Sequence, residues 1–276
     1  MKQRVITTVL LWVILLVGVF VLLYPVIANY WNSLISSRVV QSYTAAVAQM
    51  SAQESADQFA RADAYNRSLL NRIDRYTMTA EQQQEYDSIL DIGGGGVMGV
   101  LTIPKIGVQL PIYHGTGVAV LQSGVGHLPG SSLPVGGPST HAVLSGHRGL
   151  PSAELLTNID KLVVGDLFAV TVLGRRLDYQ VDKISVVDPE DMRQLAILDG
   201  QDLVTLVTCT PYGVNTQRLL VEGQRVYTNT ADLDVNTAGA VSTTALVTWL
   251  IVGLAVVGGL VYLTLRVARR KKKGEV

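Results

Sequence analysis

The single cysteine, Cys209, is the residue of this sequence best suited to nucleophilic chemistry. It ends a β-branched, apolar run, residues 203–209, which predicts a strand. Turn residues 210–213 follow, and a second strand pattern begins at Gln217. A lone thiol also has a structural interpretation, a buried cysteine that packs as a small hydrophobic side chain. The groups that the fold brings beside Cys209 decide between the two.

Arg218 and His147 supply the other two groups that a reactive thiol needs. A hairpin between residues 203–209 and 217–227 brings Arg218 back towards Cys209. There its guanidinium favours the thiolate and can donate to a developing oxyanion. His147 stands in a glycine-flanked loop after another predicted strand, where a histidine can act as general acid and base. Taken singly, each is more often a solvated or structural side chain.

Other classes of site find little support. The four histidines cannot join a cysteine-rich zinc site, and none shows His-Glu-x-x-His spacing. No metal and no cofactor are predicted, although calcium bound by scattered acidic side chains stays open. The run Gly93-Gly94-Gly95-Gly96 follows a helical pattern and precedes a strand pattern, whereas a phosphate loop needs a strand before it and a helix after it. It therefore predicts a flexible linker.

Short apolar runs separated by Gly and Pro turns predict a mainly β domain, an all-β barrel or sandwich. Upstream, residues 33–91 contain no Gly or Pro and have helical spacing, which predicts one or two exposed helices. A capping box opens one of them at Thr79 and Gln82. Residues 153–162 predict a short helix. The predicted strands are residues 98–103, 108–114, 141–145, 167–172, 177–187, 203–209 and 217–227.

Two uncharged runs, residues 5–27 and 245–265, are long enough to cross a membrane as helices. Basic residues precede the first run and follow the second, which predicts both termini in the cytoplasm and the central domain outside. The first run is longer than a signal-peptide core and lacks a small-x-small cleavage site, so an uncleaved signal anchor is favoured.

The two basic ends carry eight of the positive charges in a chain of zero net charge. The central domain is therefore acidic and is not expected to bind nucleic acid. The predicted organisation is a cytoplasmic N-terminus (1–4), a transmembrane signal anchor (5–27), an extracellular helical segment (28–96), a β domain (97–228), a linker (229–244), a transmembrane helix (245–265) and a basic cytoplasmic tail (266–276).

The residues around the thiol resemble the sortase family of cysteine transpeptidases. Residues 205–209 match its Thr-Leu-x-Thr-Cys signature, Arg218 follows at the fitting distance, and His147 falls at the catalytic histidine. The likeness runs from about residue 98 to 227. It implies a sortase-type closed β-barrel in which Cys209 is the nucleophile, His147 the general acid and base, and Arg218 the oxyanion stabiliser.

Further motifs resemble class C, the pilus-assembling sortases. A C-terminal span and a long N-terminal segment also resemble class C, whereas housekeeping sortases usually have only the N-terminal anchor. The motifs are Ile-Pro-Lys-Ile (103–106), Leu-Pro-Ile-Tyr-His-Gly-Thr (110–116), Gly-His-Leu (126–128), Ser-Ser-Leu-Pro-Val-Gly-Gly (131–137) and Thr-Cys-Thr-Pro-Tyr-Gly (208–213).

Class C sortases carry an N-terminal lid whose Asp-Pro-aromatic motif plugs the active site. The matching stretch here is Asp74-Arg75-Tyr76, and the missing proline removes a fixed backbone angle. The resemblance implies that Asp74 pairs with Arg218 and that Tyr76 covers Cys209. The alternative is an ordinary solvated helix end.

The resemblance implies cleavage of a Leu-Pro-x-Thr-Gly (LPXTG) sorting signal between Thr and Gly, and transfer of the acyl group to a pilin lysine. The implied partners are pilin or surface-protein precursors and the membrane of a Gram-positive bacterium, with the catalytic domain on its extracellular face. Two alternatives stay open. One is a housekeeping sortase that joins proteins to cell-wall precursor, and the other is a non-enzymatic ectodomain with a buried thiol.

Overall fold

The computed structural model describes residues 2–227 and Gly253. Within this part the helices are α1 (Lys2–Ala48), α2 (Ala52–Leu69), α3 (Ala80–Ser88) and α4 (Val118–Ser123). The strands are β1 (Val97–Ile103), β2 (Val108–His114), β3 (Val125–His127), β4 (Thr140–Ser145), β5 (Leu167–Val172), β6 (Arg175–Val187), β7 (Asp202–Thr210) and β8 (Gln217–Val226). Apart from Gly253, the predicted linker (229–244), second span (245–265) and basic tail (266–276) lie outside the described residues.

The eight strands close into a barrel in the order β1-β2-β3-β4-β7-β8-β6-β5. The pairs β2/β3 and β4/β7 are parallel, and the other neighbours are antiparallel. The prediction of a mainly β, closed barrel is therefore confirmed. Large apolar side chains fill the interior, as expected for a barrel of this size, and they include Met98, Leu101, Ile103, Ile112, Leu144, Phe168, Tyr179, Leu206 and Val221.

All seven predicted strands are present, with ends within two residues of those expected. The three-residue strand β3 was not predicted, because its sequence Val-Gly-His has neither the length nor the apolar alternation of a strand. The predicted helix at 153–162 is wrong: this stretch is turns followed by a 3₁₀ helix, Ile159–Lys161. The left-handed backbone of Leu155, at φ 42°, interrupts any helical repeat there.

Helix α1 is long and continuous, and its two halves face different surroundings. Its stretch Ile6–Ala48 is long and apolar enough to cross a membrane, with a mean hydropathy of 2.9 in its most apolar window. The second half lies against the barrel, where the Tyr43 hydroxyl donates to Met98 O at 3.0 Å and accepts from Leu173 N at 2.9 Å. Burial raises the pKa of Tyr43 to about 12, so the hydroxyl remains protonated and can make both bonds.

Helices α2 and α3 begin at capping boxes, and the one predicted at Thr79 and Gln82 is confirmed. The expectation of exposed helices is only partly met, because α2 buries Tyr65, Asn66 and Leu69. The amide of Asn66 pairs with the backbone of Leu133, donating to its carbonyl at 3.1 Å and accepting from its N–H at 2.7 Å. The helical segment is thus fastened onto the side of the barrel.

Candidate active site

Cys209 and Arg218 occupy directly opposed positions on the antiparallel strands β7 and β8. Opposed residues in such a ladder point to the same face of the sheet, with Cβ atoms about 4.5–5.5 Å apart. Cys209 is a free, half-buried thiol, and Arg218 is also half-buried. The hairpin expected from the sequence is therefore present, and it places the Cys209 and Arg218 side chains on the same face of the sheet.

His147 reaches the same end of the barrel through β4. This strand runs parallel to β7, and its last pair is Ser145 with Val207. Gly146 extends the contact, since its N–H donates to Val207 O at 3.0 Å and its carbonyl accepts from Thr208 Oγ1 at 2.8 Å. His147 lies two residues after Ser145, and Cys209 lies two residues after Val207.

The other three imidazoles are committed to structural hydrogen bonds. His114 contacts the carbonyls of Gly96 and Ile89, and His127 is held by Tyr86 and Ser132. His141 bridges Ala196 O and Thr205 Oγ1, at 2.8 and 2.7 Å. Within residues 2–227, the His147 side chain is the imidazole without a hydrogen-bonding partner in the protein, so it alone is free to exchange a proton with a ligand.

The loop that carries His147 is closed on itself. Leu156 N–H donates to His147 O at 3.2 Å, and Gly149 N–H donates to Thr157 Oγ1 at 3.2 Å. The guanidinium of Arg148, beside His147, forms an ion pair with Asp160. These bonds fix the backbone at both ends of the loop, which we call the His147 loop (residues 146–158).

His141 positions the loop between β6 and β7, a role that the sequence did not reveal. Its two ring nitrogens join Ala196, in that loop, to Thr205 on β7. A carbonyl can only accept, so Nδ1–H donates to Ala196 and Nε2 accepts from the Thr205 hydroxyl. Burial lowers the pKa of His141, which keeps the imidazole neutral and suited to this bridge.

The predicted lid segment, Asp74-Arg75-Tyr76, lies against two loops of the barrel. Arg75 Nη2 donates to Leu195 O at 2.5 Å and to the Tyr76 hydroxyl at 2.8 Å. Its carbonyl lies so close to Gly130 that a Cβ at that position would be 2.2 Å from the oxygen. The segment is therefore wedged between the β3–β4 loop and the β6–β7 loop.

Asp74 itself is exposed, and within residues 2–227 it forms no ion pair with Arg218. The Arg218 guanidinium instead donates to the carbonyls of Asn215 and Gln217 in its own turn, at 3.4 and 3.1 Å. In this structure the segment is held by Arg75, at the position where class C lids have proline, rather than by Asp74.

The arrangement fits acyl transfer through a covalent intermediate. Cys209, Arg218 and His147 stand at the same end of three neighbouring strands, β7, β8 and β4. A thiol, a guanidinium and an imidazole are groups that can serve such chemistry as nucleophile, oxyanion donor and acid or base.

A solved structure of sortase C1 from Streptococcus agalactiae is 48% identical to this chain, with a TM-score of 0.67, and the match covers 70% of this chain and 100% of the other. The chain belongs to the sortase family. A sortase domain is matched over residues 101–226, a range that includes Cys209, His147 and Arg218. The solved Sortase C1 of GBS Pilus Island 1 is 42% identical, with a TM-score of 0.64 and coverage of 71% of this chain and 94% of its own. These solved sortases identify this one as class C.

Among curated proteins, Sortase D of Bacillus subtilis is 31% identical over 135 residues. That match covers 48% of this chain and 65% of the relative. Sortase A of Streptococcus agalactiae is 30% identical over 131 residues, which cover 46% of this chain and 52% of the relative. The chain thus spans between half and two thirds of the length of these two relatives.

Proposed function

We propose that this class C sortase is a membrane-anchored cysteine transpeptidase that polymerises pilus subunits. It cleaves an LPXTG-type sorting signal between Thr and Gly and transfers the acyl group to a lysine amine of a pilin. The observation that carries the proposal is the pairing of Cys209 with Arg218 across β7 and β8, with the His147 loop tied to the same strand. The likeness to a Sortase C1 described as that of a pilus island supports the choice of substrate.

In the first half-reaction, the Cys209 thiolate attacks the carbonyl carbon of the signal's Thr. The Arg218 guanidinium donates to the oxyanion that forms, for which it turns from the carbonyls of its own turn. The intermediate collapses with cleavage of the Thr–Gly C–N bond, and His147 protonates the departing Gly amine. The products are a thioacyl-enzyme and a free C-terminal fragment.

In the second half-reaction, a lysine amine of the next subunit attacks the thioester carbonyl. His147 takes the proton that the amine loses, and Arg218 again stabilises the oxyanion. The C–S bond breaks, the Cys209 thiolate is regenerated, and an isopeptide bond joins the two subunits.

The proposed site of action is the outer face of a Gram-positive cell membrane. The apolar helix α1 supports membrane anchoring. Lys2 and Arg4 before the apolar run, and the basic residues at the C-terminus, support a two-pass topology with both termini in the cytoplasm. The barrel then lies where secreted precursors emerge.

The segment Asp74-Arg75-Tyr76 is proposed to act as a lid over this site. Its contacts with the β3–β4 and β6–β7 loops support the proposal. An incoming sorting signal displaces the segment by breaking the Arg75 contact with Leu195.

The proposal is tested with the full chain in lipid vesicles and a pilin subunit that carries both a sorting signal and its acceptor lysine. We expect a ladder of covalent polymers on denaturing gels, and its loss on Cys209→Ala or on replacement of the acceptor lysine by arginine. Monomers joined only to a cell-wall precursor amine would identify the housekeeping activity instead. A full ladder formed by Cys209→Ala would overturn the cysteine mechanism.

A further inference from the structure

The membrane helix contacts the loop that carries His147. Asn29, on α1, accepts a hydrogen bond at Oδ1 from Glu154 N at 2.9 Å, and its Nδ2 donates to Glu154 Oε2 at 3.3 Å. The Glu154 carboxylate also accepts from Asn158 within the loop. One asparagine thus holds both the backbone and the side chain of a residue 125 positions away.

Asn29 stands where the helix leaves the predicted hydrocarbon layer. The uncharged run, residues 5–27, is about 34 Å long as a helix, close to the ~30 Å of a bilayer core. Asn29 comes two residues later, about 3 Å further along the axis. Tyr24, Tyr30 and Trp31 flank this level, and such aromatic side chains are typical of the membrane–water interface.

The contact lies close to the catalytic residues along the backbone of the loop. Leu156, two residues after Glu154, donates its N–H to the carbonyl of His147. On the other side of the loop, the Tyr212 ring, three residues after Cys209, lies against Gly149. A displacement of Glu154 is therefore transmitted to the backbone of His147 through a single hydrogen bond.

The remaining contacts of α1 give the orientation of the barrel. Proceeding away from Asn29, the helix meets Ser123 through Ser36, and then Met98 and Leu173 through Tyr43. Tyr43 lies fourteen residues past Asn29, about 21 Å further along the axis. The His147 loop is thus at the membrane end of the docked helix, and the β5–β6 turn is at the far end.

We propose that Asn29 is a positioning residue that fastens the His147 loop to the membrane helix, and that this contact holds the active-site end of the barrel against the phospholipid headgroups. The proposal rests on the membrane anchoring and transpeptidase activity proposed above. Its consequence is that the sortase acts on a sorting signal at the level where a membrane-embedded precursor leaves the bilayer.

Depth-dependent fluorescence quenching tests whether the His147 loop lies at the phospholipid headgroups, and it does not require the enzyme to be active. The full chain carrying Cys209→Ala receives one new cysteine, either Ser152→Cys on the exposed part of the His147 loop or Gln49→Cys just after α1. Each is labelled with a fluorophore and placed in phosphatidylcholine vesicles that contain headgroup spin-labelled lipid. We expect strong quenching at residue 152 and little at residue 49, which lies about 30 Å from Asn29 along the axis.

The role of Asn29 is tested by adding Asn29→Ala to the Ser152→Cys chain, with Asn32→Ala as the matched control. Asn32 is the same residue type one turn later, and its side chain has no hydrogen bond within residues 2–227. We expect Asn29→Ala to reduce quenching at residue 152 at least twofold and Asn32→Ala to leave it unchanged. Equal quenching at residues 152 and 49, or quenching unaffected by Asn29→Ala, would overturn the proposal.

A kinetic comparison in the Cys209 enzyme separates positioning from general damage. The ratio of kcat/KM for a membrane-embedded precursor to that for a soluble sorting-signal peptide is measured for both asparagine variants. We expect Asn29→Ala to lower this ratio about three- to tenfold, and Asn32→Ala to preserve it. An unchanged ratio in Asn29→Ala contradicts the positioning role, whereas inactivity of the unmodified enzyme on both substrates contradicts the proposed function and leaves the depth result standing.

Discussion

Arg75 donates a 2.5 Å hydrogen bond to the carbonyl of Leu195 and thereby ties the proposed lid segment, residues 74–76, to the β6–β7 loop. The class C lids that this segment resembles have proline at the position of Arg75, and the proline fixes a backbone angle. In this chain the constraint comes from the guanidinium instead. A rigid backbone is thus replaced by a charge-assisted bond that can break and re-form.

Arg75→Ala removes this bond and is expected to free the lid segment. A hydrogen bond from a charged group contributes about 1.5–3 kcal/mol, so we expect the rate at which a thiol reagent modifies Cys209 to rise at least several-fold. The control is Arg67→Ala, which removes an exposed arginine of α2. Equal modification rates in wild type and Arg75→Ala would contradict a lid that covers Cys209.

Gly130→Ala is expected to displace the same segment from the opposite side. Gly130 has φ 85°, and a Cβ there would be 2.2 Å from the Arg75 carbonyl oxygen, so the lid backbone must move. Gly200→Ala is a matched control, because Gly200 has φ 71° but open space where its Cβ would lie. We expect faster modification of Cys209 in Gly130→Ala than in Gly200→Ala. The opposite order would place the segment away from the thiol.

His127 makes the stability of the barrel depend on pH. Burial lowers the pKa of His127 to about 3, whereas an unfolded histidine titrates near pH 6.5. Between those values the unfolded chain binds the additional proton, so acidification favours unfolding. We expect this residue to reduce the free energy of unfolding by up to about 1.4 kcal/mol per pH unit below pH 6.5, and to have no such effect above it.

The measurement is urea denaturation of the wild type and His127→Gln at pH 7.5, 6.5 and 5.5. The variant is expected to be less stable at pH 7.5, since it loses the hydrogen bonds to Tyr86 and Ser132. Its stability is also expected to fall less steeply with acidification. The buried His141 contributes a slope of the same sign to both proteins, so only their difference reports on His127. An equal dependence of the free energy of unfolding on pH in the two proteins would contradict the assignment of this effect to His127.

Arg218 is expected to act in the chemical step rather than in folding. Loss of one oxyanion donor typically costs about 10²–10³ in kcat, which is the expected effect of Arg218→Ala. Arg218→Lys keeps the charge but loses the planar fork of donors, so we expect only partial recovery. Arg193→Lys, at an exposed arginine of the β6–β7 loop, should retain full activity. Full activity in Arg218→Ala would exclude an oxyanion role.

Much of the barrel could be predicted from the sequence, because its strand patterns are local. The Cys209–Arg218 pair was also predictable, since a hairpin turn of six residues separates β7 from β8. The position of His147 near the Cys209 end of β7 could not be predicted from strand patterns, because the parallel pairing of β4 with β7 joins residues about sixty positions apart. Only the resemblance of motifs to a known family indicated it.

The remaining differences also come from distant contacts. Leu155 and Leu156 have helix-forming composition, yet both are buried, and Leu156 donates its N–H to His147 rather than to a helical neighbour. In the sequence, Asn29 is a single polar residue just after an apolar run, and nothing local indicates its contact with Glu154. In the same way, nothing local indicates the contact of Arg75 with Leu195, which lies 120 residues away.

The most direct test of the central claim is intact-mass spectrometry of the full chain after mixing with an LPXTG peptide and no acceptor amine. We expect an adduct with the mass of the peptide acyl group through Thr, located on Cys209 by proteolytic mapping and released by hydroxylamine as a thioester. Slower formation of the adduct is expected in His147→Ala and Arg218→Ala. No adduct on wild type, or an adduct that persists in Cys209→Ala, would contradict the account.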